Sequence, residues 1–430
     1  MGVPHLLRGA SEGLLLQLVI AVRVELLFLS HEIPSPAASD TLPLYYLIRH
    51  LSILYRHDIT LISFVSEHSR AEDFEHLKNV CIIEDPVRIQ WGARTKMLLK
   101  AAKNSILNLP KNLKHGLYVN ELDYYYDQRM DQKIKEALKK NNFELILSTR
   151  QMANYVVDVD VPKIVQPFDA MSEWHRHISS NARGLKRIIY FVRYALNRSY
   201  EKHIYEKFDA CLVVTQLDKE LLESLNPLIR CVVIPNGVDK DYFSPANINE
   251  EPKSLIFVAK MSGRTTIDNI ICFYNEIFPL ILKKNPDVKL YLVGRDPSKE
   301  IMKLSTDPLV SVTGYVDDIR PYLGKSTVFV APIILGTGMK NKVLEAMSMG
   351  KAVVTTKIGV QGIAVTNREH VVIADAPYEF AKETVSLLTD RRIRAILGAN
   401  ARKLVEEQYS WETVAKMANE LLINIVSGEG

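Results

Sequence analysis

Cysteine is scarce in this chain of 430 residues: Cys81, Cys211, Cys231 and Cys272 are the only four, far apart and never as Cys-x-x-Cys. That pattern offers neither a disulfide framework nor a cysteine metal site, and it fits a reducing compartment. Long apolar runs are missing as well. The run of residues 13–22 is ten residues long, half of the roughly 20 that a helix needs to cross a hydrocarbon core. With only Arg8 ahead of it and no small-residue cleavage site, it does not read as a signal peptide. Residues 1–22 are therefore expected to form an extension, at most peripheral to a membrane. Charge of one sign is absent too: the net value of +4 demands no nucleic-acid partner. Finally, the loop after the first apolar run, Ser30-His31-Glu32-Ile33-Pro34-Ser35-Pro36, has no Gly-x-Gly-x-x-Gly, which argues against a dinucleotide-dependent oxidoreductase.

What is present is an alternation of short apolar β-type runs with longer amphipathic ones, the signature of parallel βαβ units. Strands are predicted at 24–29, 59–64, 145–148, 163–165 and 211–214 in the first half, with helices at 42–55 and 130–140. The second half repeats the scheme, with strands at 255–258, 289–293, 310–312, 328–331 and 352–355. Helices are predicted there at 268–283, 319–323, 341–349 and 378–388. The length suits two domains, and the Pro- and Asn-rich stretch 235–252 has linker composition. The expected division is an N-terminal domain over 23–231, a C-terminal domain over 232–410, and a last helix near 411–427 that returns to the first domain.

The segment richest in chemistry runs from Gly336 to Gly350, between a predicted strand and a predicted helix. Gly336 and Gly338 let backbone N–H groups approach a bound anion. The helix N-terminus behind them is a natural seat for a diphosphate, with Lys340 and Lys342 adding charge. Glu345 lies three residues beyond Lys342 and so on the same helical face, where a carboxylate suits the two hydroxyls of a ribose. The same residues also fit a plain tight turn followed by a surface glutamate.

Around that segment a wider pattern runs in order: Val233-Ile234-Pro235-Asn236-Gly237-Val238-Asp239, residues 255–268, Val293-Gly294, Thr313-Gly314-Tyr315-Val316-Asp317-Asp318, then residues 336–350 and Ala352-Val353-Val354. Together these pieces closely resemble glycosyltransferase family 4, the retaining GT-B enzymes, and within it the bacterial branch linked to exopolysaccharide synthesis. The resemblance covers nearly all of the second half and is traceable in the first through residues 30–36, Phe168-Asp169-Ala170 and Phe208-Asp209.

The resemblance implies an α/β GT-B fold, with two Rossmann-like domains whose parallel sheets face each other across a cleft. It implies a cytoplasmic hexosyltransferase-like enzyme, at the inner face of the membrane if its acceptor is lipid-linked. Such an enzyme takes a nucleotide diphosphate sugar as donor and a saccharide or lipid-linked acceptor, and needs neither metal nor further cofactor. Lys260 and Arg264 match the cations that hold the diphosphate, Gly314 and Val316 the turn that meets the base, and Glu345 the ribose-binding glutamate. Gly336, Thr337, Gly338, Met339, Lys340 and Lys342 complete the expected donor site. Two departures stand out. Thr337 occupies the place of a second family glutamate, and Thr149-Arg150, rather than a histidine, follows the strand at 145–148. Arg150 reads as a surface residue or a substitute charge. Asp169 reads equally as an acceptor-orienting carboxylate or as a cap for the following helix. These departures motivate one alternative, a catalytically silent binding or scaffold protein on the same fold, and because the fold does not fix the reaction, other GT-B enzymes such as sugar-nucleotide epimerases stay open too.

Two basic stretches complete the reading. Arg88 to Lys114 holds seven Lys or Arg and no acid, and Arg176 to Lys207 holds eight Lys or Arg against Glu201 and Glu206. Interleaved with apolar residues, both suit contact with anionic lipid.

Overall fold

A computed structural model describes residues 22–36, 41–66, 69, 71–89, 103–115, 121–245, 248–336 and 338–429. The expected extension at 1–22 lies outside them but for Val22, and so does most of the basic stretch between Arg88 and Lys103. The chain divides into two compact units, Met1–Ile234 with Ala415–Gly430, and Pro235–Val414.

The first unit is built on eight strands: β1 (Glu25–Ser30), β2 (Asp58–Val65), β3 (Ile82–Ile83), β4 (Val87–Arg88), β5 (Leu145–Thr149), β6 (Lys163–Phe168), β7 (Ala210–Val213) and β8 (Cys231–Val233). Their order is β3-β2-β1-β5-β6-β7-β8, with β4 also on β2, and the pairings are parallel. Successive side chains of a strand point to opposite faces, and both faces here are apolar. Leu27, Leu29, Ile146, Val165 and Val213 belong to one core, and Leu26, Phe28, Leu147, Ile164 and Leu212 to the other. A sheet covered on both sides explains why its strands read as unbroken hydrophobic runs.

Helix Trp411–Val426 seals the second of these cores with Ala418, Leu421, Leu422 and Ile425. Buried His57 ties that helix to the sheet. The Val24 N–H donates to its Nδ1 at 3.1 Å, so Nε2 carries the proton and donates to Asn419 Oδ1 at 2.7 Å. Because β8 belongs to this sheet, the boundary expected at 231/232 cuts a strand. It moves to 234/235.

Six strands form the second unit: β9 (Ser254–Val258), β10 (Lys289–Val293), β11 (Val310–Val312), β12 (Val328–Ala331), β13 (Val353–Thr355) and β14 (Val372–Ile373). They lie in the order β11-β10-β9-β12-β13-β14, parallel throughout, around one continuous core. The helix expected at 268–283 starts earlier, at Arg264, and continues to Leu282 through a π-helical turn at Phe273–Ile277.

Candidate functional site

In an open α/β sheet, ligands bind outside the carboxyl ends of the strands, where the strand order reverses. In the second unit that point lies between β9 and β12, because the chain leaves β9 toward β10 and β11 and returns to the other side of β9 as β12. The loops after β9 and β12 are the ones that carry Lys260 and the glycine-rich segment.

The loop after β9 is fixed by its backbone. Ala259 N–H donates to Val293 O at 3.1 Å, Met261 N–H to Arg295 O at 2.9 Å, and Ser298 N–H to Met261 O at 3.2 Å. Met261 is fully buried, while Lys260 beside it is exposed and has no ion pair among the described residues. Arg264 is different. It is not a loop residue but opens helix Arg264–Cys272, paired with Asp268 at 2.6 Å and with Glu300 at 3.1 Å. Those two carboxylates offset a cation otherwise disfavoured at the positive end of a helix.

After β12, buried Asn269 holds the chain just before the glycines. Its Oδ1 accepts from Ile334 N–H at 3.0 Å and Leu335 N–H at 3.2 Å, and its Nδ2 donates to Leu335 O at 3.2 Å. From just past the end of β13, Thr356 Oγ1 donates to Ile333 O at 2.5 Å. Gly336 and Gly338 then take φ of 145° and 69°, backbone that side-chain-bearing residues avoid. Helix Asn341–Ser348 follows with no side-chain cap and no acid in its first turn, so the positive end of its dipole is uncompensated. Lys340 Nζ donates to Gly338 O at 2.8 Å, which closes the turn. Met339 packs against the core. Thr337 lies outside the described residues.

Glu345 is not a surface residue: only 6% of it is exposed. Lys342 Nζ reaches both of its carboxylate oxygens at 2.8 Å. Burial pushes the Glu345 pKa up, and the Lys342 charge works against that push. After β11, Gly314 turns with φ of 71°, its carbonyl accepting from Thr313 Oγ1 at 2.9 Å, while Val316 packs inward. Lys260, the glycine loop, Glu345 and the Gly314 turn thus share one edge of one sheet. Asn269, which organises that edge, was not singled out from sequence. Its signal is weak, an asparagine at a helical position with no motif around it.

In the first unit, Asp169 is half-buried after Phe168, whose φ of 69° is unusual for a bulky residue. The reading of Asp169 as a helix cap does not hold. Ala170 is the cap residue of helix Met171–Asn181, its N–H donates to Asp218 Oδ1 at 3.0 Å, and the Ser172 N–H donates to Glu201 Oε1 at 3.1 Å. Arg150 is likewise no surface residue. It is buried, bonded to Asn197, donates to the Tyr205 hydroxyl at 3.1 Å and lies 5.6 Å from the Tyr200 ring centre. A histidine does stand beside the end of β5, supplied by the neighbouring strand. His31, just after β1, has Nδ1 3.4 Å from Thr149 Oγ1, at the point where this sheet too reverses its order. Among the described residues no three His, Cys, Asp or Glu side chains cluster as a metal ion requires, and no helix is long and apolar enough to cross a membrane.

Residues 252–390, within the second unit, match the family model described as glycosyl transferases group 1. Over 372 residues the chain is 23% identical to an uncharacterized 44.6 kDa protein in the cps region of Klebsiella pneumoniae, covering 83% of this chain and 89% of that one. It is 26% identical over 210 residues to a UDP-Gal:alpha-D-GlcNAc-diphosphoundecaprenol alpha-1,3-galactosyltransferase of Escherichia coli, covering 45% of this chain and 54% of that one. Among solved structures, sucrose-phosphate synthase from Thermosynechococcus elongatus superposes with a TM-score of 0.68 at 15% identity, over 94% of this chain and all of that one. Anabaena HepE in complex with UDP and glucose gives 0.62 at 15% identity, over 94% and 100% of the two chains. The architecture is that of the GT-B glycosyltransferases.

Proposed function

We propose that the chain is a retaining glycosyltransferase that moves a sugar from a nucleoside diphosphate sugar, a UDP-sugar foremost, to a saccharide or lipid-linked acceptor in polysaccharide synthesis. One observation carries the reading. A glycine turn at positive φ, an uncapped helix N-terminus, Lys260 with no ion pair among the described residues, and the buried Glu345 all belong to the loops and helix that follow the strands at the switch point of the second sheet. Anion, leaving-group charge and ribose each find a matching group there. The relatives support the choice of substrates, since one acts with UDP-Gal on a diphosphoundecaprenol acceptor and one solved neighbour holds UDP and glucose.

In this reading the amides ahead of helix Asn341–Ser348 and the Lys260 ammonium receive the diphosphate, with Arg264 at its margin. The Gly314–Val316 backbone meets the base. Glu345 accepts from the ribose hydroxyls once Lys342 yields one of its two contacts. The acceptor hydroxyl attacks from the face that the nucleoside diphosphate leaves, and the departing phosphate oxygen takes the proton. Catalysis is then positioning and charge stabilisation, without a cofactor beyond the sugar nucleotide. Within the first unit, Asp169 and His31 are the groups suited to bind an acceptor hydroxyl.

The test is a thermal-shift and hydrolysis panel of UDP-, GDP-, ADP- and dTDP-sugars. One nucleotide class raises the melting temperature, and Glu345→Ala or Lys260→Ala removes most of that rise. Equal stabilisation of both variants would show the donor to sit elsewhere.

A further inference from the structure

Helix Gly184–Ile204 carries two stripes of opposite fate. Asn197, Tyr200, Glu201 and Ile204 recur at helical spacing and are buried. They hold the C-terminal half of the helix in the first unit. Leu185, Ile188, Ile189 and Val192 recur at the same spacing one turn after another, yet are 72%, 61%, 47% and 49% exposed. Phe191 beside them is 59% exposed, and Trp174 of the preceding helix stands edge-on to Tyr190 at 6.2 Å. An apolar stripe of this regularity normally faces a core; here it is turned to solvent, and an exposed patch of that kind marks an interaction surface.

The charges around the stripe indicate what covers it. Arg176 pairs with Glu173 at 2.6 Å, but from Arg183 to Tyr200 there are five Lys or Arg, namely Arg183, Lys186, Arg187, Arg193 and Arg198, and no Asp or Glu. Lys186 and Arg193 flank Tyr190, 6.0 and 5.8 Å from its ring centre. Apolar residues along the stripe with cations and amphipathic aromatic rings at its border match the chemistry of an anionic lipid surface. A second copy of the chain is a poor fit, because a two-fold contact would set this cationic patch against itself. In the other basic stretch, two of the described cations are engaged internally: Lys111 donates to Asn154 O, and Lys114 pairs with Asp158 at 2.5 Å.

We infer that the N-terminal half of helix Gly184–Ile204 docks the protein on an anionic bilayer, its apolar stripe at the headgroup boundary and its cations on the phosphates. Docking of this kind would hold the first unit at the surface where a lipid-linked acceptor resides, but it does not depend on the transfer reaction.

The experiment is flotation of the full chain with vesicles of phosphatidylethanolamine and phosphatidylglycerol, against vesicles of phosphatidylcholine, with no donor or acceptor present. Wild type floats with the anionic vesicles only, and less so at high salt. Lys186→Gln with Arg187→Gln weakens binding about 25-fold, at about fivefold per cation. Ile188→Ser with Phe191→Ser weakens it about tenfold or more, while circular dichroism and donor-induced thermal shifts stay as in wild type. Absence of flotation, or equal flotation of wild type and both variants, overturns the inference. So does a concentration-dependent dimer that the apolar variant abolishes without any vesicle binding. Wild-type flotation without turnover of any sugar nucleotide would instead overturn the transferase reading and leave this one standing.

Discussion

Asn269→Ala separates the organisation of the donor loop from its chemistry. Asn269 touches no group proposed to meet the ligand, but it makes three hydrogen bonds to the backbone just before Gly336. A buried hydrogen bond contributes about 1 kcal/mol net, so the truncation costs about 3 kcal/mol. For a unit of this size that lowers the melting temperature by about 6–12 °C. The second consequence concerns binding. Fixing the backbone of one residue costs about 1–2 kcal/mol. If Ile334 and Leu335 are released, the donor must order them again, and about 2 kcal/mol corresponds to a thirtyfold weaker affinity. Asn269→Asp keeps the acceptor for both N–H groups but sets a carboxylate oxygen against Leu335 O in place of the donor, so its affinity also falls below wild type. Calorimetric titration of each folded variant with the sugar nucleotide identified by the panel gives the comparison. A folded Asn269→Ala that melts lower but binds with wild-type affinity would refute the argument that this residue pre-forms the site.

Two further outcomes are expected. Gly336→Ala forces a side chain onto a φ of 145°, with the new Cβ 3.4 Å from Lys340 Nζ; the strain of about 1–3 kcal/mol appears as weaker donor binding in the same titration. Gly263→Ala is its control, since the nearest neighbour to that Cβ is Thr266 Oγ1 at 3.8 Å, and it leaves both affinity and melting temperature near wild type. For His57, burial holds the pKa below its ordinary value, against the opposing Asn419 hydrogen bond and the Asp58 and Glu144 charges. The unfolded chain therefore binds the extra proton first, and stability is retained above an unfolded pKa of about 6.5 and falls as pH drops below it. Denaturant midpoints between pH 7.5 and 5.5 should fall more steeply for wild type than for His57→Gln, with a limiting slope of about 1.4 kcal/mol per pH unit for one proton; parallel slopes would show that His57 is not the group responsible.

Much of this architecture is legible along the chain because parallel strands buried on both faces leave uninterrupted apolar runs. The strands at 289–293, 310–312 and 328–331 and the helix Leu42–Tyr55 lie where their patterns put them. The glycine loop was equally plain, since two glycines before a helix are a local requirement of backbone conformation. Short edge strands such as β3, β4 and β14 are too brief for any periodicity, and β8 was hidden by its nearness to the proline-rich stretch.

What a sequence pattern cannot carry is which side of a helix meets the rest of the molecule. Glu345, for which the sequence allowed both a ribose-binding and a surface role, is buried against Lys342. Arg150, read as a surface residue or a substitute charge, is enclosed by Asn197, Tyr200 and Tyr205, and the stripe from Leu185 to Val192 looks like core yet faces water. His31 meets Thr149 across more than a hundred residues because β1 and β5 are neighbours in the sheet. Local propensity and backbone sterics act within a few residues and are written in order along the chain. Burial and charge pairing depend on which distant segments pack together, and only the tertiary structure decides that.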